Sequence, residues 1–133
     1  MKNLDMKIEI EENLPEITGD NKRLLEVIEN LFSNAVKFTE KGQILIKVWK
    51  ENKDIIVCFQ DTGKGINPKY KDIIFEKFRQ LGDIMTEKPE GIGVGLSICR
   101  IIIEFHHGKL WLESEPDKGS SFYFSLPVYE KIL

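Results

Sequence analysis

Residues 54–65 read Asp54-Ile55-Ile56-Val57-Cys58-Phe59-Gln60-Asp61-Thr62-Gly63-Lys64-Gly65. Ile55, Val57 and Phe59 alternate onto one face of a strand and Ile56 and Cys58 onto the other, so both faces are apolar. A strand that is apolar on both sides belongs in the middle of a sheet. It ends in a carboxylate, Asp61, and the chain then turns through two spaced glycines. The fold is read outward from this segment.

Upstream, residues 43–50 form the hairpin partner across Glu51-Asn52-Lys53. Before that, Asp20 is placed to cap a helix running to about Lys37, with Leu24, Val27, Ile28, Leu31 and Ala35 at helical spacing. Gly42 marks its exit. A weakly alternating strand, Lys7 to Glu12, opens the chain and is broken by Pro15 and Gly19. Downstream, Pro68 opens a short helical stretch to about Phe78. Residues 79–92 are mostly polar, with two glycines and a proline, and read as a mobile loop. A second long helix spans about Gly95 to His106 with Leu96, Cys99, Ile102 and Ile103 inward, ended by Gly108. Strands at Lys109–Ser114 and Ser120–Leu126 close the chain around the turn Glu-Pro-Asp-Lys-Gly. The prediction is an α+β two-layer sandwich: a mixed, mostly antiparallel sheet of about five strands, covered on one face by about three helices.

The 133 residues make one domain, long enough to build a core without disulfides or metal staples. A net charge of −3 lacks the basic excess of a general nucleic-acid or membrane binder, so any anion must be met by local positive groups. The cysteines, Cys58 and Cys99, lie in apolar runs and read as buried thiols of a reducing compartment. No apolar stretch approaches the roughly 20 residues that span a bilayer, and the N-terminus lacks a signal-peptide core. The expectation is a cytoplasmic chain, or the cytoplasmic piece of a longer one, without direct membrane contact.

Three polar features carry chemistry. At 100° per residue Asn30, Asn34 and Lys37 fall in one stripe flanking the apolar face of the first helix. An Asn oxygen is a hard neutral ligand suited to Mg²⁺, and a lysine supplies local positive charge. The same three residues would also make an ordinary solvated face. Asp61 is either a turn residue or the acceptor for a purine amino group, with Gly63 and Gly65 letting the backbone approach the ring. Gly91-Ile-Gly-Val-Gly-Leu-Ser-Ile98 places Gly91, Gly93 and Gly95 at alternate positions before a helix, which suits phosphate oxygens as well as it suits a hinge. Ser120, after Gly119, offers a hydroxyl near the base.

Taken in order, Asn30-Leu-Phe-Ser-Asn-Ala-Val-Lys-Phe-Thr39, Asp61-Thr-Gly-Lys-Gly-Ile66, Phe75-Glu-Lys-Phe78, Gly91-Ile-Gly-Val-Gly-Leu-Ser-Ile98 and Gly119-Ser-Ser-Phe122 resemble the catalytic and ATP-binding domain of sensor histidine kinases. The likeness covers essentially the whole chain and implies the nucleotide fold shared with gyrase, MutL and the large heat-shock chaperone. By that resemblance Asn34 is the Mg²⁺ ligand with Asn30 beside it and Lys37 near the phosphates. Asp61 is the adenine-binding carboxylate, with Gly63, Gly65 and Ile66 shaping its pocket. Gly91, Gly93, Val94, Gly95 and Leu96 form the phosphate-side loop, and residues 79–92 the lid. The family usually has Thr where Ile92 stands and Leu where Val94 stands, so one lid hydroxyl is missing.

The resemblance also implies partners. In such kinases the phosphate acceptor is a histidine on a separate helical hairpin, followed by an acidic residue and a proline, and a response regulator lies downstream. Here the histidines are His106 and His107, at a helix end before Gly108, which is a structural setting. The chain therefore reads as an ATP-holding catalytic domain whose acceptor lies on a partner dimerisation domain. Two other readings stand beside it. A gyrase-like hydrolytic switch needs a water-orienting Glu four residues before the metal-binding Asn, where this chain has Asn30. A partner-binding pseudokinase is kept open by Ile92.

Overall fold

A computed structural model describes residues 3–39, 41–62, 94–115 and 119–128. In chain order the elements are β1 (Asn3–Ile10), α1 (Asn21–Phe38), β2 (Lys41–Glu51), β3 (Asp54–Asp61), α2 (Val94–Phe105), β4 (Lys109–Glu115) and β5 (Gly119–Pro127). The strands form one sheet in the order β1-β2-β3-β5-β4. β1 runs parallel to β2 and the other pairs are antiparallel. β3 is the middle strand, as its two apolar faces require. The opening strand lies earlier than its alternation suggested, because pairing with β2 from Asn3↔Lys41 to Ile10↔Val48 sets its limits. Two of the expected helices lie among the described residues; the short stretch from Pro68 to Phe78 and the loop at 79–92 lie outside them.

The register decides which side chains share a layer. Phe59 sits opposite Phe122, Phe122 opposite Leu112, and Val57 opposite Phe124. That face meets Val27 and Leu31 of α1 and Leu96, Cys99, Ile102 and Ile103 of α2 in one apolar core. The α1 prediction fails at Ile28, which is 39% exposed while Val27, Leu31 and Ala35 are sealed. The buried arc of α1 is narrower than the run of apolar residues, so part of its amphipathic stripe faces outward.

The opposite face of the sheet carries Trp49, Cys58, Trp111 and Tyr123. Trp111 and Tyr123 stack with ring centroids 5.1 Å apart and planes 4° from parallel. Cys58 pairs in register with Tyr123 and is buried beneath these large neighbours. Both cysteines are free thiols.

Candidate nucleotide site

The N-terminus of α1 is fixed by Asp20, whose carboxylate accepts from the N–H groups of Lys22 and Arg23 at 3.0 and 3.2 Å. The Asp20 N–H in turn donates to His106 Nε2 at 2.9 Å, and His106 Nδ1 lies 2.8 Å from the Ile102 carbonyl, to which it donates. Both ring nitrogens are engaged, so His106 ties the end of α2 to the start of α1. This is the helix-end role expected of it. Midway along, the thiol of Cys99 on α2 meets the side chain of Asn30 on α1. The helices are therefore antiparallel, and the last turns of α1 lie toward the start of α2.

β3 brings Asp61 to the same end of the molecule. Asp61 has the parity of Phe59, so its side chain falls on the helix-covered face, opposite Ser120. Asp61 is 3% exposed and so is Ser120. The carboxylate accepts two bonds from that residue, from the backbone N–H at 3.3 Å and from the hydroxyl at 2.9 Å. Asp61 is therefore not a solvated turn residue but a buried, hydrogen-bonded carboxylate.

Close packing around the pair depends on Gly119. Its φ is +97°, and a Cβ there would overlap the Asp61 carbonyl oxygen and stand 3.0 Å from the Thr62 Cα. Only a residue without a side chain lets β5 begin so near the end of β3.

The helix stripe divides. Asn34 is 4% exposed. Asn30 is half-buried and its amide donates back to the Glu26 carbonyl at 3.0 Å. The solvated-face reading therefore fails for Asn34, while Asn30 serves α1 and its contact with α2. Lys37 lies in α1 one turn beyond Asn34, and its side chain is outside the described residues. Gly63, Gly65, Ile66, Gly91 and Gly93 are outside them as well. Val94 and Gly95 open α2, one residue earlier than expected. Leu96 is inward, as its spacing with Cys99 and Ile103 predicted: its side chain is wholly buried in the core. A part in the phosphate-side loop would fall to its backbone N–H, in the first turn of α2. The sequence reading passed over Thr39, which closes α1 and is completely buried. It stood last in the quoted helix motif, yet a hydroxyl there gives no sign of burial until β2 and β3 are in place.

The cysteines fit the structural role expected of them. Burial pushes the Cys58 thiol from its ordinary 9.0 to about 11, and burial with the nearby Glu26 charge pushes Cys99 to about 12. Below pH 9.0 neither folded nor unfolded chain releases these protons, so they leave stability unchanged. Above it the unfolded thiols ionise while the folded ones do not, and stability falls until pH approaches about 11 to 12. Denaturant midpoints measured from pH 7 upward should be flat to about 9 and then decline by an amount worth a few kcal/mol. Tyr123, pushed up by burial from 10.0 to about 12, adds to the decline above pH 10, so serine at both cysteines should remove the part that begins near 9.

Residues 19–130 match the family described as histidine kinase-, DNA gyrase B-, and HSP90-like ATPases. The chain belongs to this family, and within it is a histidine kinase-like ATPase domain. It is 40% identical over 131 residues to the adaptive-response sensory kinase SasA of Synechocystis sp., covering 96% of this chain and 33% of that protein. It is 39% identical over 118 residues to the phytochrome-like protein Cph1 of the same organism, covering 87% of this chain and 16% of that one. The chain thus spans a third or less of these two relatives. Among solved structures, the nucleotide-free catalytic domain of histidine kinase ThkA superposes with a TM-score of 0.79 at 34% identity, over 95% of this chain and 80% of that one. Full-length ShkA in complex with AMPPNP gives a TM-score of 0.80 at 28% identity, over 98% of this chain and 27% of that one.

Proposed function

We propose that this chain is the catalytic domain of a two-component sensor histidine kinase, which binds MgATP and presents its γ-phosphate to a histidine on a partner dimerisation domain. The phosphoryl group then passes to a response regulator. The observation that carries the reading is the buried Asp61–Ser120 pair at the end of the sheet, toward which the last turns of α1 bring Asn34. The likeness to ShkA, whose structure holds AMPPNP, supports the same ligand here. Among the described residues no helix is long and apolar enough to cross a membrane, which suits a domain working in the cytoplasm.

In this reading Asp61 accepts from the exocyclic amino group of adenine. That contact selects a purine with an N–H over one with a carbonyl at the same place. Asn34 contributes a neutral oxygen to Mg²⁺, and a buried amide suits an ion that keeps waters and phosphate oxygens as its other ligands. Mg²⁺, when bound, neutralises charge on the phosphate oxygens. Lys37 lies on α1 near the phosphates, and the N–H groups of Val94, Gly95 and Leu96 in the first turn of α2 add the positive end of a helix. Phosphoryl transfer rests mainly on positioning and charge stabilisation, so the chain needs no nucleophile of its own. The incoming histidine supplies the attacking nitrogen.

Incubated with γ-labelled ATP and a histidine-bearing dimerisation domain supplied in trans, the chain should yield acid-labile, alkali-stable label on that domain and none on itself. Steady phosphate release by the chain alone, outpacing transfer, would support the hydrolytic switch instead. Replacing Asn34 with alanine should weaken ATP binding about tenfold with Mg²⁺ and far less in EDTA, as titration calorimetry would show. A loss equal in both buffers would place the metal elsewhere.

A further inference from the structure

β1 is an edge strand: among the described residues it pairs on one side only, with β2. Its residues alternate apolar and polar, and the apolar set is left uncovered, with Met6, Ile8 and Ile10 each more than half exposed. Met6 pairs in register with Ile44 and Ile8 with Ile46, and Ile46 pairs with Phe59. The exposed stripe therefore lies on the face that the helices cover elsewhere. α1 extends it. Ile28 and Leu25 stand about 160° and 140° round the helix from Asn30, which meets α2. Because α2 packs on β4 and β5 and α1 on β3, that flank of α1 looks toward β1, and both side chains on it are exposed.

The backbone of this edge is as open as its side chains. The Glu11 N–H donates to the Val48 carbonyl at 2.9 Å, one step past the Ile10↔Val48 pair. In a parallel ladder alternate residues turn both backbone groups to the same neighbour, so the odd-numbered residues of β1 serve β2. Leu4, Met6, Ile8 and Ile10 turn theirs to the free edge. Sheet edges are ordinarily blunted by proline, a bulge or several lysines. β1 has no proline, an unbroken register with β2, and Lys7 as its single lysine. It is an edge built to accept a strand.

We propose that β1 pairs with β1 of a second copy of this chain, antiparallel, merging two five-stranded sheets into one. The charges along the strand select both the partner and the register. Since the free backbone groups belong to even-numbered residues, only registers that set even against even form hydrogen bonds. Centring on Asp5, Lys7 or Glu9 sets that charge against itself, and centring on Ile8 sets Asp5 against Glu11 twice. Centring on Met6 sets Asp5 against Lys7 twice and no like charges opposite each other. Leu4 then meets Ile8, and Met6 meets its own copy. The twofold axis stands perpendicular to the sheet, so the helices of both copies stay on one face. Leu25 and Ile28 flank the apolar seam from either side.

Sedimentation equilibrium on the chain, from micromolar to millimolar concentration, should show monomer and dimer in exchange. Asp5→Lys or Lys7→Glu alone sets like charges opposite at two places and should raise the dimer Kd about tenfold or more. The double variant D5K/K7E restores the attraction and should return to within about threefold of wild type. All three should melt with wild type, because Asp5 and Lys7 are exposed. Met6→Cys tests the register: its Cα lies about 5.5 Å from its copy across the axis, within disulfide reach, so mild oxidation should give a covalent dimer. Ile10→Cys, roughly 27 Å from its copy, should not cross-link. The native thiols Cys58 and Cys99 are buried and do not compete. A chain that stays monomeric throughout would overturn the proposal and leave the edge to a strand of another partner. A dimer indifferent to the charge reversals would lie on a different face, and equal cross-linking at positions 6 and 10 would refute the register.

Discussion

Asp61→Asn should bind ATP about 10- to 100-fold more weakly than wild type while keeping nearly the same melting temperature. The two halves of this expectation have separate causes. Ser120 gives Asp61 one backbone N–H and one hydroxyl. An asparagine can accept the first with its oxygen and donate its amide to the second, because a hydroxyl accepts as readily as it donates. The bonds to Ser120 are kept. The bond to the ligand is weakened, since an amide has no charge and has one oxygen to offer where the carboxylate had two. The forfeited bond is charge-assisted, worth about 1.5–3 kcal/mol. GTP should bind wild type poorly, and D61N should narrow the gap between ATP and GTP. Equal binding of the two by wild type, measured by calorimetry, would remove Asp61 from the purine.

Gly119→Ala should be the most damaging substitution at the site, and by a different route. Its methyl group would overlap the Asp61 carbonyl, a backbone atom held between β2 and β5, at a φ of +97° that L-residues rarely adopt. Neither problem can be relieved by turning a side chain. β5 would have to detach from the end of β3, separating Ser120 from Asp61, at a cost of about 3 kcal/mol or more. Chemical denaturation should show that loss, and nucleotide binding should disappear with it. Gly19→Ala is the control. Its Cβ would meet side chains and no backbone, Leu24 at 2.8 Å and His106 at 2.7 Å, so it disturbs the His106 tie between the helices but leaves the sheet intact, and its loss should be smaller. If the two alanines cost the same, the close approach of β5 to β3 is not what Gly119 provides.

The central strand was legible because its chemistry is local. Two apolar faces over Ile55–Phe59 leave a strand nowhere to go but the middle of a sheet, and β3 lies between β2 and β5. The start of α1 was equally plain, since an Asp20 cap works on N–H groups two and three residues away. The end of α2 before Gly108 and the inward set Leu96, Cys99, Ile102 and Ile103 followed from helical spacing alone. Alternation was weaker evidence. It misplaced β1, whose limits come from its partner, while helical spacing grouped Ile28 with Val27, Leu31 and Ala35 although Ile28 stays 39% exposed.

What the sequence determined by itself is the set of candidates: an aspartate closing a strand, asparagines on one helix, glycines before another, and a family resemblance joining them. Tertiary structure alone decided which of these meet. Asp61 and Ser120 are 59 positions apart, and only the β3–β5 register lays one against the other on the covered face. The same register assigns Gly119 its purpose. The Asn30 amide was claimed by its own helix, an outcome that residue type cannot reveal. Spacing along a chain fixes the faces of one element, but burial and pairing belong to two elements at once and exist only after they pack.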